Sequence, residues 1–436
     1  MMFKNIKYIC LIMAIISLSL SIIPNDFIQI SAALIFVIYY FFKNLPNYQV
    51  TIKVGIIGFY LIIVFLSQIF ISDFYEFFKS FSLTILFFFI FFSTQKVIFF
   101  KSVEFKNAII VSVILIIGFE IIQLIEVLVL NSRTSYFLLD QYSISTAKDA
   151  GRFESANFAG LLRPVSFFHE PSYLASVLFI CLISLKNLNS KPLFRLITIF
   201  GIILSLSTLN YLFLLLYLIF SVKKKYYPAT FIIIFPFFVY YASFFITFFR
   251  FYEISQEGTS GWARLVKPYI EVLKEINENL AYFGRAIGNN KVIHDNSFFL
   301  IISYTGLMFP FFIYFIYKHS KKILIRNKYI ILGILNLIFL SGAIFTPEAS
   351  FLFLILISSF NLKTNIKQNY NKRSDGLDVR KNNTVDFINR FKGKLSKMTK
   401  EGHIGVAKTT NAPIEKNTSI IIDQQTLNSS PLREYP

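Results

Sequence analysis

An all-α, polytopic membrane fold of about a dozen spanning helices, with two large loops on one face, is what this sequence predicts. Three observations lead there: the amount of apolar surface, the length of the apolar runs and the placement of the lysines. Hydrophobic residues make up 55% of the 436-residue chain and aromatic ones 18%, against 15% charged. A water-soluble domain has no interior large enough to hide so much apolar surface. The runs last about 14 to 24 residues, the length a helix needs to cross ~30 Å of hydrocarbon.

Taken in order, the apolar runs predict spans at 8–23, 27–42, 54–71, 81–95, 107–130 and 172–185, then at 193–207, 209–222, 228–248, 297–317, 329–345 and 348–362. The first follows Lys4 and Lys7 like a signal peptide, but it has no small-residue cleavage site and is expected to be an anchor. The segment 193–222 reads either as two short limbs turning at Ser207–Asn210 or as one long tilted helix. Lysine placement favours the hairpin. With it, Lys43, Lys53, Lys96, Lys101, Lys106, Lys186, Lys191, Arg195, Lys223–Lys225 and the Lys318–Lys328 cluster all fall on one face, with Glu104 as the acid among them. That face is the cytoplasmic one by the positive-inside rule, so both termini are expected inside. The net charge of +19 is thereby absorbed by topology and membrane lipid, and no nucleic-acid partner is expected. Cys10 and Cys181 lie within spans as small hydrophobes.

The domain organisation is a polytopic body, 1–362, followed by a polar, basic tail, 363–436, expected to be a disordered cytoplasmic extension. Two periplasmic loops, 131–171 and 249–296, are far longer than a hairpin needs, and long loops in compact architectures tend to carry function. In the first, Arg152, Arg163, His169 and Glu170 gather cationic donors and titratable groups just before span six. Such a set suits a pyrophosphate at headgroup level, and it also suits a plain solvated interface. Pro171 fits the first turn of that helix, which puts Glu170 at its N-terminus either as a cap or as a reactive carboxylate. In the second loop, Trp262, Leu265, Val266, Tyr269, Leu273, Ile276 and Leu280 recur at helical spacing opposite Lys267, Glu271, Lys274, Glu275 and Glu278, a surface amphipathic helix. Arg264 opens it. Gly284, Arg285 and Gly288 follow, permissive for close approach to a ligand, and His294, Asp295 and Asn296 stand just before span ten. Neither HExxH nor CxxC spacing occurs, so neither metal nor cofactor is expected. Inside span five, Glu120, Gln123 and Glu126 share roughly one helical face, as functional groups or as hydrogen-bonding glue.

This arrangement resembles the O-antigen polymerase (Wzy-type) and O-antigen ligase superfamily of bacterial envelope glycosyltransferases. The resemblance rests on Arg163 followed by Glu170-Pro171-Ser172 at a span entrance, and on the series Trp262, Arg264, Gly284, Gly288, His294, Asn296 and Gly306. Ser205-Leu206-Ser207-Thr208 is similar to that family's serine-containing turn. Asp295 separates His294 from Asn296 where ligases often have the two adjacent, and the arginine usual after the hairpin serine is absent; both departures weaken the ligase reading more than the polymerase one. The resemblance implies a metal-independent transfer at the periplasmic face between two undecaprenyl-diphosphate-linked glycans, the growing chain as donor and one repeat unit as acceptor, with a chain-length regulator as a further partner. It implies Arg163 and Arg264 as diphosphate ligands, Arg152 and Arg285 as weaker ones, Glu170 or His294 as the base, and His169, Asn296, Gly284 and Gly288 in support. The alternatives are an O-antigen ligase and a non-enzymatic flippase, the latter disfavoured because its loops would be short on both faces.

The topology is testable by reporter fusions. A fusion after Lys225 should report cytoplasm and one after Gln256 periplasm; the reverse pair would replace the hairpin by a single helix.

Overall fold

The longest helix forms where apolar residues run on without a glycine-proline break and end in Asn131-Ser132. In the computed structural model of the chain this helix, α3, is Ser102–Leu128. The structure describes residues 2–18, 32–44, 63, 78, 81, 82, 84, 85, 102–132, 134, 157, 158, 161, 162, 164–168, 170–222, 226, 236, 240, 257, 262, 266–279, 297–311, 313, 314, 317, 318, 327–340 and 348–362. All belong to the first of two units, 1–369. The predicted spans 54–71, 81–95 and 228–248, but for isolated positions, and the tail 363–436 lie outside the described residues.

The described elements are helical apart from one two-residue ladder. In chain order they are α1 (Met2–Ile16), α2 (Ala32–Asn44), α3, the strands β1 (Asn157–Phe158) and β2 (Leu161–Leu162), α4 (Pro171–Asn187), α5 (Pro192–Leu204) and α6 (Thr208–Ser221). Then come α7 (Lys267–Asn279), α8 (Ser297–Thr305), a 3-10 turn at Gly306–Met308, α9 (Lys328–Leu340) and α10 (Glu348–Leu362). The strands pair antiparallel, Asn157 with Leu162 and Phe158 with Leu161, inside the expected first loop. Helix α1 starts at Met2, so it takes in Lys4 and Lys7 instead of following them; lysine is a good helix former. The segment 192–221 is two helices, as the hairpin reading expects. The turn between them holds Leu206 at φ 50°, and the Tyr211 hydroxyl closes it by donating to the Ile203 carbonyl at 2.6 Å.

Hydrogen bonds fix the direction of each core helix. Lys186 near the end of α4 donates to Ser221 at the end of α6, while Asn210 in the first turn of α6 donates to Ser172 at the start of α4. These two helices therefore run parallel, and α5 between them runs back. Asn187 at the end of α4 also donates to Ser359 in the last turn of α10 and accepts from Asn327 just before α9. So α10 runs with α4 and α6, and α9 runs against them. Lys186, Lys191, Arg195 and Lys328 all come to one end, as a fold with alternating crossings requires.

Among the described residues, α3 alone is both long and apolar enough to cross a bilayer, with 27 residues and a mean hydropathy of 2.7. Helices α4, α5, α6, α9 and α10 are shorter apolar helices of 10 to 17 residues. Helices α3, α4, α5, α6, α9 and α10 fall on predicted spans, so the expected all-α body is met and the count of about a dozen crossings only in part. The polarity of α3 is inverted. It buries Ser112, Glu120, Gln123 and Glu126 while exposing Ile114, Leu115, Ile121, Ile122, Ile125 and Leu128, with Ile122 at 56% and Glu120 at 0%. A water-facing helix does the opposite.

Close packing in the core depends on small residues. A Cβ on Gly201 of α5 would lie 2.6 Å from Ile117 Cγ1 of α3 and 3.0 Å from Leu178 of α4, so this glycine lets three helices meet. Gly118, one residue after Ile117, faces open space. Gly201→Leu should cost about 1–3 kcal/mol of overpacking and lower the melting midpoint of the purified protein. Gly118→Leu should stay within about 0.5 kcal/mol of the parent. Equal midpoints for the two variants would show that α3, α4 and α5 do not meet at Gly201.

Candidate functional site

Of the residues singled out in the sequence, Glu170 is described; Arg152, Arg163, His169, Arg264, Gly284, Arg285, Gly288, His294 and Asn296 lie outside the described residues. Glu170 is the N-cap residue of α4, extended at φ −139°, with Pro171 beginning the helix. Its carboxylate does not cap the helix. Instead Oε2 accepts a 2.8 Å hydrogen bond from the Ser172 hydroxyl, two residues on. That holds the partly buried carboxylate beside the helix start rather than over its N–H groups.

The segment leading to Glu170 is buried, and α3 holds it. Gln123 Oε1 accepts from the backbone N–H of Val165 at 2.9 Å and of Ser166 at 2.7 Å, while Nε2 donates to the Ser166 carbonyl at 3.3 Å. The Ser166 hydroxyl donates to the Ile116 carbonyl at 3.0 Å. Ser166 sits at φ 49°, a left-handed conformation that a serine adopts only where its surroundings hold it. Around this clamp, Phe167 stacks on Phe119 at 4.5 Å, and Val165 and Phe168 are fully buried. Of the three polar residues on this face, Gln123 is the loop's anchor. Glu126 accepts from the Ser132 hydroxyl at 3.3 Å just past the helix end. Glu120 is fully buried, and neither of its oxygens has a partner among the described residues.

The hairpin turn reaches the same place. Asn210 Nδ2 donates to the Ser172 carbonyl at 3.1 Å and to the Ser207 hydroxyl at 2.9 Å, and Asn336 Nδ2 donates to Asn210 Oδ1 at 3.0 Å. Two sequence motifs separated by more than thirty residues, Glu170-Pro171-Ser172 and Ser205-Leu206-Ser207, are thus joined by one buried amide. Tyr173, next to Ser172, packs on Phe168 with ring centres 6.1 Å apart and lies within electrostatic reach of Glu348 at the start of α10. A carboxylate, a tyrosine, serines and two asparagines therefore gather at the end opposite the lysines, a polar set able to bind hydroxyl groups and to take up a proton.

Asn336, Tyr173 and Glu348 escaped the sequence reading. Asn336 did leave a signal, being a lone amide inside an apolar run, where such residues join helices. Glu348 follows Pro347 at a helix start, much as Glu170 precedes Pro171, and that similarity was readable.

In the expected second loop, Trp262 and the helix α7 are described. Val266 N–H donates to the Trp262 carbonyl at 2.9 Å, so the helical path starts before Lys267. Among its described side chains Pro268 and Val272 are buried, whereas Tyr269, Ile270 and Leu273 are exposed, Tyr269 and Leu273 belonging to the apolar face read from the sequence. On this helix Lys267 pairs with Glu271 at 3.9 Å, a solvated pair of little worth. Tyr269 meets Phe299 of α8 edge-on at 6.4 Å, which ties α7 to the helix that begins at Ser297.

No protein-family model, curated protein or solved structure matches this chain.

The clamp can be tested on its own. Gln123→Leu keeps the volume but strips two buried N–H groups and a carbonyl of their partner, and should destabilise the protein by about 2–4 kcal/mol. Gln123→Glu keeps the acceptor for both N–H groups and should lose less. Identical melting midpoints for the two variants and the parent would remove the clamp from this end of the fold.

Proposed function

We propose that this chain is a multi-pass protein of the bacterial inner membrane, with both termini cytoplasmic, that polymerises undecaprenyl-diphosphate-linked oligosaccharide repeat units at the periplasmic face. The observation that carries the reading is the convergence of the Glu170-Pro171-Ser172 entrance and the Ser205–Ser207 turn through Asn210, since these were two of the separate motifs on which the resemblance rested. The inverted polarity of α3 supports the membrane, and the collection of lysines at the opposite end supports this orientation of the site.

The chemistry required is a glycosyl transfer. A hydroxyl oxygen of the acceptor glycan attacks the anomeric carbon of the donor as the bond from that carbon to the diphosphate oxygen breaks. The diphosphate departs with its charge, and the hydroxyl proton passes to a base. Arg163 and Arg264 are proposed to hold the diphosphate, with Arg152 and Arg285 as further contacts, because a planar guanidinium meets two phosphate oxygens at once. Glu170 or His294 is proposed as the base. An imidazole ordinarily titrates near neutrality, whereas a carboxylate needs its surroundings to bring it there. Ser172, donating to Glu170, and Asn210 behind it hold the carboxylate's helix in place.

The test is incubation of the purified protein with a lipid-linked repeat unit, together with polymer length in cells lacking the native gene. The parent should give a ladder of lengths. Arg163→Ala or Arg264→Ala should lower the rate about ten- to a hundredfold, the loss expected from charge-assisted hydrogen bonds, and lysine should restore only part of it. Glu170→Gln or His294→Gln should abolish transfer while substrate still binds, depending on which is the base. Normal ladders from all four variants would move the active site elsewhere.

A further inference from the structure

The lysine end of the core holds a second polar assembly that transfer does not use. Lys186 Nζ donates to the Ser221 hydroxyl at 2.8 Å and lies over two rings, 4.0 Å from the centre of Tyr329 and 4.9 Å from that of Tyr217. Lys328 Nζ donates to the Phe220 carbonyl and lies 5.5 Å from the Tyr329 ring centre, and the Tyr329 hydroxyl donates to the same carbonyl at 2.9 Å. Arg195 comes in from α5, within electrostatic reach of Tyr217. Three cationic side chains from three helices thus meet on two tyrosines.

Helix ends explain two of the three. Lys186 stands at the C-terminus of α4, and Lys328, which begins α9, reaches the Phe220 carbonyl in the last turn of α6; backbone carbonyls at such ends favour positive charge. Arg195 has no such reason. It sits in the first turn of α5, where the backbone is itself positive, and its Nε is buried with no partner among the described residues. No carboxylate among the described residues ion-pairs Lys186 or Arg195. Three cations brought together, with the guanidinium Nε of one buried and unpartnered among the described residues, make a place suited to an anion.

We infer that this cluster binds the phosphate of an anionic glycerophospholipid in the cytoplasmic leaflet, an inference that rests on the membrane reading above. The phosphate oxygens supply acceptors for the guanidinium and both ammonium groups, and the tyrosine rings supply a flat, partly apolar wall. A lipid, rather than free phosphate, is the source because Leu193 and Leu196, in the same first turns of α5 as Arg195, are 60% and 61% exposed, an apolar helix surface for an acyl chain at the level of the cation. Basic pockets between helices on the cytoplasmic side are suited to such headgroups.

The test uses the full-length protein purified in neutral detergent, with phosphatidylglycerol, phosphatidylcholine of the same acyl chains, and inorganic phosphate as separate additions. Lipid retention is read by native mass spectrometry and stabilisation by the melting midpoint. Phosphatidylglycerol should be retained and should raise the midpoint, whereas phosphatidylcholine should do neither. Arg195→Gln should weaken phosphatidylglycerol binding by roughly tenfold, the loss expected for one charge-assisted contact, and Arg195→Lys should restore part of it. Arg195→Gln removes a group whose Nε is already unpartnered, so its unliganded midpoint should stay near the parent's; Lys186→Gln serves as a second variant. Equal retention of the two lipids, equal binding by Arg195→Gln and the parent, or stabilisation by free phosphate with nothing added by lipid would each overturn the inference. Loss of polymer ladders with selective lipid retention intact would count against the polymerase reading and leave this one standing.

Discussion

A peptide group taken out of water must find another partner, and the backbone of Val165 and Ser166 finds it in the side chain of Gln123. One amide takes two N–H donors and returns a donor to the carbonyl, while the Ser166 hydroxyl reaches back to α3. Each of these groups left unpaired would cost about 1–3 kcal/mol, so the loop stays where the glutamine is. Pro164, Val165 and Phe168 are then carried into the core, and Pro171 can start α4 only from the point where that loop ends. The position of Glu170 is a consequence. Its carboxylate stands where it does because a residue on a different helix, about fifty positions earlier, fixes the chain leading to it.

The same logic holds the rest of the core together at two levels. Near the start of α4, Asn336 and Asn210 link α9, α6 and the Ser172 carbonyl. Near its end, Asn327 and Asn187 link the start of α9, the end of α4 and Ser359 of α10. An apolar interface alone tolerates sliding by a turn, because leucine and isoleucine surfaces resemble one another along a helix. Asparagines paired at both ends forbid it. Interhelical bonds of this kind contribute only about 0.6 kcal/mol each on average, so their value lies in register more than in stability. Buried bulk does the remaining work: Phe179 of α4 meets Phe213 and Tyr217 of α6, and Phe36 of α2 meets Phe351 of α10 edge-on at 5.2 Å.

Glu120 stands outside this economy. It is enclosed on the same face of α3 as Gln123, yet no described residue hydrogen-bonds to it, whereas Glu126 one and a half turns later is tied to Ser132. Carboxyl groups are rarely kept in such places without use. In the resemblance from which the transfer was proposed, the polar demands of the reaction fall on the two long loops; Glu120 lies beneath one of them, one turn from the residue that anchors it.

Helicity and, among the described residues, the gathering of cations at one end were legible in the sequence, because apolar content and lysine placement are set residue by residue. The hairpin at Ser205–Ser207 was legible too, since a single helix there would have put Lys223–Lys225 on the wrong face. The span beginning at Pro171 fell within a residue of its expected start, as proline's fixed φ and missing N–H demand. What periodicity could not give was partnership. That Gln123 would bond to Val165 and Ser166, that Glu170 would turn to Ser172 instead of capping its helix, or that Asn210 would join two distant motifs depends on contacts between residues far apart in the chain. The exposed Tyr269 and Leu273 on α7 make the same point, because a helical pattern names a face but not the surface that face will meet. Local chemistry determined which segments became helices and which end carries the cations; only the three-dimensional packing decided which buried polar group would satisfy which, since hydrogen bonding is short-ranged and sequence separation says nothing about distance.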